Sequence, residues 1–152
     1  LRTLHVMALR GNPLDAYKKS ATTTATPGQL VLMLYDGIIR FCRLALTGFD
    51  KDDPAERIAT INDNIIRAQD IIYELIQSLD HDQGADVAGN FLQLYDYCER
   101  RLHESNMNKT PDGIEATIQH ISELRNAWAM MLERGGQPMT QEEFQSLTQS
   151  AG

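Results

Sequence analysis

Few side chains in this sequence stand at spacings that chemistry requires. Glu99 and His103 are four residues apart and share one face of a helix. A di-iron bundle needs a Glu-x-x-His pair on each of two helices, and no such pair occurs. Asp80, Asp82, Gly84 and Asp86 resemble a calcium loop, but the glycine falls early and the closing bidentate glutamate is missing. His120 lies off the apolar stripe of its own helix, as a phosphoacceptor would, and as an ordinary solvated histidine more often does. No nucleophile turn, glycine-rich phosphate loop or activated-cysteine context accompanies these residues. The expectation is no metal, no cofactor and no catalysis.

The remaining chemistry-bearing residues point to structure. Cys42 and Cys98 fall in helical patterns without metal or redox spacing and read as buried thiols of a reducing compartment, with a disulfide as the open alternative. Arg125 falls inside the apolar arc of the last long helix. Either it snorkels at the edge of that stripe, or it pairs with a carboxylate on a neighbouring helix. A net charge of -7 and a pI near 5.0 argue against nucleic acid as a partner. No apolar run approaches the roughly 18 residues of a membrane span, so no membrane insertion is expected. The 152 residues suit one folded domain.

The elements that position these residues are helical. The first ten residues are too short and interrupted for a secretion signal; Met7 reads as a native start, and residues 1–11 as a disordered extension. Leu14, Tyr17 and Ala21 then share one face of a short accessory segment, tethered by the threonine-rich stretch to Thr26. Thr26, Pro27 and Gln29 form the N-terminal signature of a long helix, running to Thr47 and stopped at Gly48. Asp53, Pro54 and Glu56 open the next, whose seam is Ile58, Ile61, Ile65, Ala68, Ile72, Leu75 and Leu79, with Ile66 and Tyr73 beside it. After the polar break 80–86, Val87, Phe91, Leu94, Cys98 and Leu102 define a fourth face, flanked by Ala88 and Tyr95. Thr110 as N-cap and Pro111 as first residue begin the last helix, which carries Ile114, Thr117, Ile118, Ile121, Leu124, Trp128, Met131 and Leu132. Gly135, Gly136 and Pro138 end it. The expected architecture is all-α: an antiparallel up-and-down four-helix bundle over 12–136, with a polar tail over 137–152.

One helix carries a surplus of apolar surface, and the next has some through Ile66 and Tyr73. Between Pro27 and Thr47 the strongly polar residues Gln29, Asp36, Arg40, Arg43 and Thr47 fall within an arc of about 60°, and a bundle needs only about three apolar positions in seven. Either the neighbouring helices enclose the rest, or it forms a groove for a partner helix or for a second copy of the chain. In the groove reading, Leu14 and Tyr17 could cover it until displaced.

Tyr17, Thr26-Pro-Gly-Gln-Leu-Val-Leu-Met-Leu-Tyr-Asp-Gly-Ile-Ile-Arg-Phe41 and Arg67-Ala-Gln-Asp-Ile-Ile-Tyr-Glu-Leu-Ile-Gln-Ser-Leu-Asp80 resemble the FliS family of flagellar export chaperones. Gly84, Val87-Ala-Gly-Asn90, Leu94-Tyr-Asp-Tyr97, Arg101-Leu102 and Leu124-Arg-Asn-Ala-Trp128 continue the resemblance, which covers about residues 12–133. It implies a cytoplasmic helical bundle that binds the disordered C-terminal segment of flagellin, blocks premature polymerisation and delivers flagellin to the type III export gate protein FlhA. The positions matching the family's motifs are Tyr17, Pro27, Leu30, Leu34, Tyr35, Ile72, Leu75, Leu79, Asn90, Leu94 and Tyr95. A subset of these is expected to line the client groove, and the rest to hold the bundle together. Two other classes remain open: a phosphotransfer module using His120, and a structural homodimer.

Overall fold

The computed structural model describes residues 25–79, 85–135 and 142. Tyr17 and its segment, the stretch 80–84 with Asp80, Asp82 and Gly84, and the tail over 137–152 apart from Glu142 lie outside the described residues. Four long helices follow one another: α1 (Pro27–Thr47), α2 (Pro54–Gln77), α3 (Ala85–Asn108) and α4 (Asp112–Glu133), with a 3-10 turn, Gly48–Asp50, after α1. No strand occurs among the described residues, and the fold is an all-α bundle.

The helix starts follow from their capping residues. The Thr26 hydroxyl accepts from Gln29 N–H at 3.2 Å, and Thr26 N–H donates to Gln29 Oε1 at 3.0 Å. These reciprocal bonds satisfy two amide donors, and Pro27 at the first position leaves none to satisfy. Asp53 caps α2 by a single bond, accepting from Glu56 N–H at 2.9 Å, with no return bond from the Glu56 side chain. The start of α4 differs from the expectation: it begins at Asp112, and Pro111 offers no side-chain cap. Ser105 of the preceding helix supplies it, its Oγ accepting from Gly113 N–H at 2.8 Å. Lys109, in left-handed backbone at φ 52°, reverses the chain between them.

The helices pack in a ring, α1 on α2 and α4, α3 on α4 and, more sparsely, on α2. Cross-links fix their antiparallel alignment. Trp128 Nε1–H donates to Gly28 C=O at 2.7 Å, and Asn106 donates to Asn62 at 2.9 Å. Gly113 lies so close to α3 that a Cβ there would stand 1.9 Å from the Arg101 carbonyl oxygen.

The core is continuous from Leu30 in α1 to Leu124 in α4. Leu30, Val31, Leu34, Tyr35, Ile38, Ile39, Cys42 and Ala45 are all buried, so α2 and α4 enclose the surplus of α1; only Leu44, among its large apolar side chains, is exposed. Two seams shift from their expected positions. Ile58 is exposed because Ile61, not Ile58, packs at the end of α1, against Gly48; the turn before it lies beyond α1. In α3, Val87 is exposed and the buried line runs through Ala88, Tyr95, Cys98, Leu102 and Ser105. That rotation brings the Tyr95 hydroxyl 2.7 Å from the Tyr35 hydroxyl across the middle of the bundle. Each of these phenols is the other's partner in a site that water does not reach.

Candidate functional site

The motif positions divide sharply by burial. Leu30, Leu34, Tyr35, Ile72, Leu75 and Tyr95 are buried core residues; Leu79 and Leu94 are half-buried against that core; Pro27 and Asn90 are exposed. Burial holds the Tyr35 phenol at about 12, the Tyr95 bond opposing the shift, and raises Tyr95 well above its usual value. The phenols are therefore neutral, structural groups.

Exposed apolar surface concentrates on α2. Ile66 and Tyr73 are 44% and 48% exposed and stand seven residues apart, on one stripe of the helix. Asn62 lies on the same side and bonds Asn106 of α3, so this stripe borders the α2–α3 seam. On α3 the matching flank reads Leu92, Glu99 and Asn106, again at sevens, with Leu92 half-buried. Phe91, next to Leu92, stacks on Tyr95 with ring centroids 6.0 Å apart. The two helices pack less closely here than any other neighbours in the ring.

Carboxylates sit within this seam. Burial, then the nearby charges of Asp70 and Asp96, push the Glu99 carboxyl up to about 7. Its Oε1 is buried with no hydrogen-bond partner among the described residues. Asp70 is raised by burial as well. The face is thus apolar with a carboxyl only partly charged near neutrality. It offers adhesion and no catalytic grouping, and no cluster of three or more metal-ligating side chains occurs among the described residues.

Residues 10–135 match the family described as Flagellar protein FliS. The chain belongs to the FliS family. It is 36% identical over 123 residues to the flagellar secretion chaperone FliS of Bacillus subtilis, covering 80% of this chain and 87% of that one. It is 31% identical over 114 residues to its counterpart in Campylobacter jejuni, covering 75% and 86%. Against the counterpart of Salmonella typhimurium the figures are 32% over 117 residues, covering 72% and 79%. FliS proteins are chaperones and not enzymes, which agrees with a site built for adhesion.

Within this FliS-family bundle the other chemical candidates take structural places. His120 packs edge-on against Tyr97 at 5.2 Å and lies 4.0 Å from Glu123. Arg125 resolves as the ion pair, its Nε donating to Asp36 Oδ1 at 2.8 Å. Both cysteines are free and buried, and burial raises each thiol to about 12. No described helix is long and apolar enough to cross a membrane. Sequence reasoning noted Ile66 and Tyr73 as a row widening the α2 seam and adding some apolar surplus, without placing the client there. Their period of seven beside Asn62 was the available signal, but which helix flanked them required the structure. Glu99 as a half-buried carboxyl carried no such signal.

Proposed function

We propose that this chain is a cytoplasmic export chaperone that binds the disordered C-terminal segment of flagellin, restrains its polymerisation and passes it to the export gate through FlhA. The observation that carries this reading is the Ile66–Tyr73 stripe beside the loosely packed α2–α3 seam, in a chain of a flagellar chaperone family. A disordered client loses conformational entropy when it orders, and burial of apolar surface must offset that loss. Two large side chains with about half their surface open, flanked by Leu92, supply such a surface. In this reading Leu34, Tyr35, Ile72, Leu75 and Tyr95 shape the groove from beneath. Leu79, Asn90 and Leu94 touch the client at its margins, and the Tyr17 segment is a removable cover involved in gate docking.

The test is titration with a peptide from the C-terminus of the cognate flagellin, read by calorimetry and circular dichroism. Saturable binding with gain of helicity is expected. Ile66→Asp and Tyr73→Asp should each weaken it at least tenfold while leaving the melting curve of the free chaperone in place. Absence of saturable binding, or full affinity in both variants, would sink the assignment. The same stripe favours a homodimer in the absence of client as a second reading; light scattering should then show the dimer dissociating on peptide addition.

A further inference from the structure

We propose that the cleft between α1 and α4 is a docking site for an acidic segment of a partner protein, in which carboxylate and aliphatic side chains alternate. The cleft encloses about 670 Å³ and lies on the α1–α4 seam, not the α2–α3 seam where the flagellin reading places its client. Arg40 and Arg43 from α1 and Arg125 from α4 line it, with Asp36 as the only acidic lining residue among the described residues. Asp36 is already engaged by Arg125. Among the described residues no carboxylate pairs with Arg40 or Arg43; Arg40 rests over the Phe41 ring, 5.6 Å from its centroid, which leaves its charge without a counter-ion. These two arginines are exposed and three residues apart, neighbours on the helix surface whose like charges repel.

The shape and lining select among anions. Ile39 and the exposed Leu44 add apolar lining to the cleft beside its arginines, unsuited to a free phosphate. Ser122 and Asn126 on the opposite wall offer polar groups to a peptide backbone. From Asp36 to Thr47 the α1 wall runs about 16 Å at 1.5 Å per residue, the length of about five extended residues. A nucleic acid would meet a chain of net charge -7 around this basic strip. An acidic peptide of a few residues needs only the strip itself, and guanidinium forks hold carboxylates with two parallel bonds.

The probe is fluorescein-labelled acetyl-Glu-Leu-Glu-Leu-Glu-amide, titrated by anisotropy into the full chain at low ionic strength. Saturable binding is expected, falling steeply with added salt. The double variant Arg40→Gln with Arg43→Gln should weaken it at least tenfold with an unchanged melting curve, whereas Arg100→Gln on α3 should leave it intact. The isosteric glutamine–leucine peptide should bind at least tenfold more weakly. Several results would overturn the proposal: no saturable binding, equal loss in Arg100→Gln, or equal binding of the neutral peptide. So would displacement of the probe by an equal concentration of inorganic phosphate. A dimer that the double arginine variant dissociates would assign the cleft to a second copy and overturn it as well. Tighter probe binding in Glu142→Gln with Glu143→Gln would assign the cleft to this chain's own tail, with the same consequence.

Discussion

Replacing Glu99 by glutamine is expected to stabilise the bundle in mild alkali and to do little in acid. The folded carboxyl titrates at about 7 against an ordinary 4.5, chiefly because burial disfavours its charge and secondarily because Asp70 and Asp96 repel it. Between those values the folded chain binds more protons at this site than the unfolded chain. Stability therefore falls as the pH rises through the window, and the loss is complete above it. At about 1.4 kcal/mol per tenfold shift, full burial would make that loss about 3.4 kcal/mol. The side chain is only partly buried, and solvent screening reduces this to about 1.5 kcal/mol. Glutamine keeps the shape and removes the charge. Urea unfolding followed by circular dichroism at about pH 8.5 should thus show Glu99→Gln more stable by about 1.5 kcal/mol, with an unchanged urea slope. At about pH 4 the two proteins should differ by less than about 0.5 kcal/mol, since the carboxyl is then mostly protonated in both states. Parallel pH dependences in parent and variant would refute the account, because the penalty would then belong to other groups.

The tyrosine pair yields a second expectation. Tyr35→Phe or Tyr95→Phe leaves one buried hydroxyl without its 2.7 Å partner and should cost about 1–3 kcal/mol. The double variant should cost clearly less than the sum, and additive losses in a double-mutant cycle would show that the hydroxyls do not depend on each other. Glycine substitutions provide a third. Gly113→Ala drives a Cβ against the Arg101 carbonyl oxygen and should lower stability by about 3 kcal/mol. Gly89→Ala meets nothing within 4 Å in a helix interior and should raise it by about 0.5–1 kcal/mol. Thermal melts of the two would contradict the packing described here if their order were reversed.

Helix positions were legible where local chemistry decides them. Thr26 with Gln29, and Asp53 before Pro54, mark their helix starts without help from the rest of the chain. The start of α4 was displaced by one residue because its cap, Ser105, belongs to another helix. Burial was harder to read than position. Val87 is more apolar than Ala88, yet Ala88 is inside, since the phase of α3 is fixed by Tyr95 meeting Tyr35 sixty residues away. The same limit applies to the candidate site. Leu34 and Tyr35 look like a surplus on a single wheel, and only the packing of α2 and α4 shows them enclosed. Ile66 and Tyr73 are less prominent in the sequence and are the ones left open.

The hydroxyl contact between Tyr35 and Tyr95 also acts as an alignment mark. Much of the surrounding core is isoleucine and leucine, and such side chains can exchange places when one helix slips along another by a turn, about 5.4 Å. Apolar contacts alone would penalise that slip weakly. A pair of phenols cannot slip without parting, and parting would leave two buried polar groups unbonded. Since α1 and α3 are not neighbours in the ring, this contact reports on the position of both helices between them at once. A bundle whose core is mostly aliphatic thus carries at its centre a polar latch that resists axial creep.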